Sequence, residues 1–221
     1  MLSIIIPVYN NCQYTKRALT DLSKLEIDNE IIIVDNGSTD DTEKIVSEFN
    51  VVYIKNLENR GFSYANNQGF DVAKGEYVLF LNNDIKVLAN EKDWPNMLIK
   101  FCADGIVGTQ TGQIDSDYNF VGEGNLNPNV SGRYLSGWCL LSKKETWNKL
   151  VENDLLWDSK SFFLYFEDGD LSFRAKKKNI PLYLMEIPLY HYSRVTGRKY
   201  NMFYYFKLSQ RIFKKKWPKI V

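Results

Sequence analysis

The chain has 221 residues, room for one good-sized α/β domain or two small ones. Hydrophobic residues make up 44% and charged residues 25%, ordinary globular values that speak against a disordered chain. A formal charge of +1 leaves no overall field that would recruit nucleic acid. In chain order, Ser3 to Tyr9 reads as a buried strand ended by Pro7, and Asn10-Asn11 is a turn and cap signal. Tyr14, Ala18, Leu19, Leu22 and Leu25 recur at helical spacing. Glu30 to Asp35 is a second buried strand ending in an acid. Asn36 to Thr39 turns the chain, and Asp40 with Glu43 forms a capping-box signature for a helix through Phe49. Val51 to Ile54 is a third strand, Phe62 to Ala73 a helix, and Lys74-Gly75 a helix stop. Glu76 to Leu81 is then a short apolar run, read as a strand buried on both faces, that stops in Asn82-Asn83-Asp84.

This alternation predicts a mostly parallel sheet with helices on both faces. Tyr9, Asp35 and Asp84 fall at strand ends on one edge, where open α/β sheets bind ligands. A carboxylate held there by a rigid strand suits a divalent metal against a phosphate; the plainer reading of Asn-Asn-Asp is a polar turn. The usual nucleotide fingerprints are missing. Gly122-Glu123-Gly124 has Asn127 where a last Gly should stand, and Gly132 and Gly137 are followed by Trp138 in place of a P-loop lysine.

The second half differs in texture. Trp94 to Cys102 is a helix opened by Pro95, and Ile106 to Gln110 a strand. Thr111 to Arg133, rich in Gly, Asn, Asp and Pro, reads as a long loop or irregular hairpin, and such loops are functional or disordered. Tyr134 to Ser142 is a strand carrying Gly137-Trp138, and Lys144 to Glu152 a helix. Phe162 to Phe166 runs into Glu167, Asp168 and Asp170 at the head of a short helix to Lys178. Three carboxylates in four positions either tune one another for proton transfer or simply cap and complement a helix start. Pro181 to Tyr192 is extended and holds His191, the only histidine, either a hydrogen-bonded structural residue or a metal ligand beside a carboxylate. Tyr200 to Trp217 alternates aromatics with Lys and Arg at helical spacing. Two readings of that tail stand: a packed C-terminal helix, or a helix lying on an anionic bilayer.

No run approaches the roughly 18 apolar residues of a membrane span, and the start lacks a basic leader. Cys12, Cys102 and Cys139 are odd in number and far apart, which reads as reduced thiols in a cytosolic protein. One domain is expected over residues 1–199, followed by a basic aromatic helix over 200–221.

Taken together, several stretches resemble the family 2 glycosyltransferases of GT-A fold, nearest their bacterial rhamnosyltransferase-like branch. They are Pro7-Val8-Tyr9-Asn10, Ile33 to Asp40, Asn59-Arg60-Gly61-Phe62 with Ala65-Asn66-Asn67, Leu81 to Asp84, Ser136-Gly137, and Phe163 to Asp168 before Asp170-Leu171 and Arg174. The resemblance spans residue 1 to about 195 and implies an α/β fold of the Rossmann-like GT-A kind. It further implies Pro7, Tyr9, Asp35, Asn36, Arg60 and Asn66 around the nucleotide, with Asp35 accepting from the base's ring N–H. Asn82-Asn83-Asp84 matches the family's D-x-D motif with Asn82 in place of the first acid. Asp84 then anchors Mn2+ or Mg2+, and His191 completes the metal shell. Asp168 matches the catalytic base, with Glu167 beside it, and Gly137, Trp138 and Glu167 line the acceptor pocket.

The implied function is an inverting transfer from a nucleoside-diphosphate sugar, a UDP-sugar or dTDP-rhamnose, to a glycan or lipid-linked acceptor in bacterial surface polysaccharide synthesis. It would be cytoplasmic, with a peripheral contact at the inner face of the membrane through the tail and no nucleic-acid partner. Trp138, Tyr118 and Phe120 suit stacking on a sugar face or core packing. The alternatives are a non-catalytic sugar-nucleotide or glycan-binding module and, less well matched, a nucleotidyltransferase.

Overall fold

The computed structural model describes residues 1–88, 91–193 and 201–221, and of Met202 only the backbone. The first half follows the expected alternation: β1 (Leu2–Val8), α1 (Cys12–Leu22), β2 (Asn29–Asp35), α2 (Thr42–Val46), β3 (Val52–Lys55), α3 (Phe62–Val72) and β4 (Tyr77–Leu81). Next come β5 (Ile85–Val87), α4 (Trp94–Cys102), β6 (Ile106–Gly108), β7 (Thr111–Ile114), β8 (Phe120–Gly124), β9 (Arg133–Leu135) and β10 (Cys139–Lys143). The chain continues through α5 (Lys144–Asn148), α6 (Glu167–Lys177), β11 (Leu182–Leu184), β12 (Leu189–His191) and α7 (Met202–Lys216).

Seven strands form the central sheet in the order β11-β6-β10-β4-β1-β2-β3. All run parallel except β10, which is antiparallel to both β4 and β6. The strands that read as unbroken apolar runs split by alternation onto two faces. Ile4, Ile6, Ile33, Leu79 and Leu81 pack with α1 and α4, while Ile5, Ile32, Val34, Val78 and Phe80 pack with α3, α5 and α6. On the second face Phe80 meets Trp147 and Trp157 edge-on at centroid distances of 5.3 and 5.2 Å. Such pairs add about 0.5–1.5 kcal/mol each beyond the area they bury.

Of the two readings of Thr111 to Arg133, the irregular hairpin holds: β7 and β8 pair antiparallel with a bulge between Gln113 and Ile114, and β9 joins them in a three-stranded sheet. Other expectations are corrected. The strand expected over Tyr134 to Ser142 is two strands in two sheets, because Ser136-Gly137-Trp138 crosses between them. The extended stretch from Pro181 likewise splits into β11 on the main sheet and β12 paired with β5, a strand that was not expected. Asp40 and Glu43 form no capping box. The Asp40 carboxylate instead accepts from Thr42 and reaches across to the Cys12 amide, so α2 is a short helix ending at Val46. The tail is helical as expected from Met202, while Tyr200 and the 199/200 boundary lie outside the described residues.

α7 is tied to the body by a third apolar cluster containing Tyr118, Phe162, Phe166, Phe173, Phe213 and Trp217. Asp170 does not serve an open helix end. It is fully buried and receives Arg174 Nε at 3.0 Å, Lys216 Nζ at 2.8 Å and Trp217 Nε1 at 2.8 Å. A buried carboxylate is stable only when paired and hydrogen-bonded, and α6 and α7 together satisfy this one.

Candidate active site

At the carboxyl ends of β1, β2 and β4 the chain leaves the sheet through polar turns, and a cavity of about 280 Å³ opens there. It collects Pro7, Tyr9, Asn36, Asn82, Asn83, Asp84, Gly137, Trp138, Glu167, Asp168 and His191 from distant parts of the sequence. A neighbouring cavity of about 360 Å³ shares Glu123, Ser136, Tyr165, Glu167, Asp168 and His191 with it and extends towards Phe203 and Phe206 of α7. No Lys or Arg stands among the described residues lining either cavity.

His191 reaches Asp84 because β12 pairs with β5 directly after the Asn-Asn-Asp turn, with His191 opposite Ile85. Its Nε2 lies 3.1 Å from Asp84 Oδ1 and 3.3 Å from Asn82 Nδ2. The Trp138 ring is stacked on the imidazole at 4.6 Å and 15°, and Trp138 Nε1 donates to Gln110, which fixes the ring plane. Adjacent corners of an octahedron with bonds of about 2.1 Å are about 3 Å apart, so Asp84 and His191 fit two neighbouring positions around Mg2+ or Mn2+. Among the described residues no group of three or more His, Cys, Asp or Glu could hold a metal. A small hard cation needs no more, since it keeps waters and takes phosphate oxygens as its other ligands.

Glu167 and Asp168 stand in the first turn of α6, aimed by an unusual backbone. Tyr165 and Phe166, neither of them glycine, both adopt left-handed conformations with φ of 70° and 67°. Such residues cost of order 1–3 kcal/mol and cluster at functional sites. Asp168 Oδ2 accepts from the Gly137 amide at 3.1 Å and Oδ1 from the Gly169 amide at 2.8 Å. A side chain at 137 would put its Cβ 3.1 Å from the Asp168 Cβ, so only glycine lets that amide approach without displacement. Burial pushes the Asp168 carboxyl up to about 6 against the pull of those two amides. Glu167 is pushed up to about 8 by burial and by the charge of Asp168, and its Oε2 is buried without a hydrogen-bond partner. Two adjacent carboxyls are thereby set apart: one ionised near neutrality, one still protonated.

Three expected donor residues are not on the cavity wall. Asp35 is fully buried, with Oδ1 accepting from the Ser38 amide at 2.8 Å and Oδ2 from the Tyr53 hydroxyl at 2.6 Å. Arg60 is exposed and rests its guanidinium on the Tyr64 ring. Asn66 is buried under the start of α3, where Nδ2 donates to the Phe62 carbonyl. Asn36 organises the rim: its Nδ2 donates to the Gly61 carbonyl, and its Oδ1 accepts from Asn56 and the Arg60 amide. Of the aromatics expected to suit sugar stacking, Trp138 and Tyr118 are buried at 8% and 4% exposure, while Phe120 lines the second cavity.

Sequence reading missed Glu123 and Tyr134. Glu123 sits on β8 and lines both cavities, and nothing in its Gly-rich surroundings marks it. Tyr134 lines the second cavity, its hydroxyl held well above its ordinary range by burial and by Asp168, Glu123 and Glu167.

A family model described as Glycosyl transferase family 2 matches residues 3–158. Glycosyltransferase GlyG of Streptococcus pneumoniae is 33% identical over 136 residues, which cover 54% of the chain and 42% of GlyG. A Campylobacter jejuni enzyme, GalNAc(5)-diNAcBac-PP-undecaprenol beta-1,3-glucosyltransferase, is 28% identical over 158 residues, 65% of the chain and 46% of that protein. The chain thus spans less than half the length of these two relatives. Among solved structures, the mannosyltransferase PcManGT of Pyrobaculum calidifontis, in complex with GDP-Man and Mn2+, superposes with a TM-score of 0.63 at 18% identity. That match covers 84% of the chain and 54% of PcManGT, and the likeness is one of fold. The fold is accordingly GT-A: a single α/β domain on a mostly parallel sheet.

Proposed function

The chain belongs to glycosyl transferase family 2, and from that premise we propose that it is an inverting, metal-dependent hexosyl- or deoxyhexosyltransferase. The donor is a nucleoside-diphosphate sugar, a UDP-sugar or dTDP-rhamnose. The acceptor is a hydroxyl of a glycan or lipid-linked saccharide in bacterial surface polysaccharide synthesis, and the enzyme works on the cytoplasmic side. The observation that carries this reading is the meeting, on one cavity, of the Asp84–His191 pair at 3.1 Å and the Asp168 carboxylate.

Residues 1–110 form the donor half in this reading and 111–199 the acceptor half. Pro7, Tyr9 and Asn36 hold the nucleoside; Asn82, Asn83 and Asp84 face the diphosphate. Asp35 takes the base N–H in place of the Tyr53 hydroxyl, which covers its carboxylate in this structure and has to turn aside. Asn66 acts through the start of α3, and Arg60 reaches the base or the diphosphate by leaving Tyr64. Asp84 and His191 would hold Mn2+ or Mg2+, which when bound supplies neutralisation of the charge growing on the leaving diphosphate.

Gly137, Trp138 and Glu167 border the acceptor. Asp168 takes the proton of the acceptor hydroxyl while that oxygen attacks the anomeric carbon. The bond from that carbon to the diphosphate oxygen breaks on the opposite face, and the configuration inverts. Glu167, protonated at neutral pH, donates a hydrogen bond beside the reacting hydroxyl. The Campylobacter relative's undecaprenol-linked acceptor and PcManGT's Mn2+ support the acceptor class and the metal. Conversion of a panel of sugar nucleotides, with and without Mn2+, tests the reading. No turnover of any donor by the whole chain, with Mn2+ and glycan acceptors supplied, would sink it.

A further inference from the structure

α7 presents two faces of different chemistry. The inner face is committed: Phe213 is fully buried, Ser209 donates to the Leu164 carbonyl, and Lys216 is taken up by Asp158 and Asp170. The outer face is not. Phe203, Tyr204 and Leu208 are exposed by 73%, 57% and 39%, and Lys207, Arg211, Lys214 and Lys215 lie exposed among and beyond them. Residues 201–221 contain no Asp or Glu. Among the described residues no ion pair reaches these four cations, although Asp115 lies close enough to Lys214 to feel its charge. The Lys207 ammonium stands over the Phe203 and Phe206 rings at 5.9 and 6.0 Å, so charge and aromatic surface are interleaved.

Exposed aromatic and leucine side chains beside unneutralised cations have the chemistry of a helix lying in a membrane interface. The cations complement anionic headgroups, and the rings sit at headgroup depth. A second observation gives that face a direction. Phe203 and Phe206 line the second cavity, and Glu167 and Asp168 line the same cavity. The outer patch and the route to the carboxylates therefore meet at one helix end.

We propose that the outer face of α7 docks the protein on an anionic lipid bilayer, with the mouth of the second cavity turned to the surface so that a lipid-linked hydroxyl acceptor reaches Asp168 past Phe203 and Phe206. The docking stands on the helix alone; the acceptor clause rests on the transferase reading. Among the described residues no helix is long and apolar enough to cross a membrane, so docking is peripheral.

The test is co-sedimentation of the whole chain with phosphatidylcholine vesicles and with phosphatidylcholine/phosphatidylglycerol vesicles, alongside two variants. One carries Lys207→Gln, Arg211→Gln, Lys214→Gln and Lys215→Gln; the other carries Tyr204→Ser and Leu208→Ser. All six side chains are exposed, so thermal melting should be unchanged. Expected is binding that requires phosphatidylglycerol, weakens with added salt, and falls by more than about tenfold in each variant. Equal binding to both vesicle types, binding unchanged in either variant, or none by the whole chain overturns the proposal. Transfer to a soluble glycan acceptor, assayed in parallel, should be the same in the variants and the parent. Docking without transfer by any of them would fail the catalytic reading and leave the docking face standing.

Discussion

At the scale of single residues, the two carboxyls at the head of α6 make opposed predictions. Asp168→Asn keeps the acceptor oxygen for Gly137 but cannot take a proton, so kcat should fall by roughly a hundred- to ten-thousandfold with the fold intact. Activity in the parent should be lost as pH falls through about 6, where Asp168 protonates. Glu123 adds to the upward push on Asp168, so Glu123→Gln should move that acid limb to lower pH; an unmoved limb would mean Glu123 is electrostatically remote.

Glu167 carries a stability consequence as well. Its folded pKa lies above the unfolded value of about 4.5, so the folded state binds the extra proton and stability falls as pH rises from there through about 8. Glu167→Gln removes that cost. Its melting temperature relative to the parent should rise between about pH 5 and pH 9, and a constant difference would refute the assignment. For the metal pair, Asp84→Ala should abolish Mn2+-dependent turnover while Asn82→Ala costs less. Chelator that leaves the parent's activity untouched would remove the metal from the scheme.

Elements, not residues, decide how these groups meet. The turn from β9 into β10 presses Gly137 against Asp168, and the β5–β12 pair brings His191 to Asp84. Neither contact follows from helix or strand propensity, because each depends on which short segment pairs with which. α7 is the other deciding element, since it closes the third apolar cluster and the Asp170 ion network from the far side of α6. Phe213→Ala empties a fully buried site and should cost about 3–5 kcal/mol in urea unfolding. Loss of under ~1 kcal/mol would mean that α7 is not part of the folded core.

Over the whole molecule, the small sheet β8-β7-β9 is separate from the central one, and Glu123 and Phe120 reach from it to the cavities. The segment Thr111–Arg133 is a folded hairpin, and if it closes over bound substrates as lids do, closure would be a movement of that unit. Limited proteolysis across it should slow when UDP and Mn2+ are added together. Equal cleavage with and without them would count against closure.

Chemistry dense in local pattern is legible in the amino-acid sequence itself. The alternating apolar strands, the acids at their ends, the Asn82-Asn83-Asp84 turn and the acidic head of α6 are all short-range signals, and the fold and most of the cavity wall follow from them. The tertiary structure decided the rest. It buried Asp35 under Tyr53, laid Arg60 on Tyr64, and turned Trp138 from a sugar platform into a plate behind His191. It also brought Glu123 in from a segment whose composition marks a loop or irregular hairpin but no site. The reason is physical: periodicity records which side of a strand or helix faces apolar surroundings. Which polar side chain meets which is set by the pairing of strands and the packing of helices far apart in sequence, and no local pattern encodes those partners.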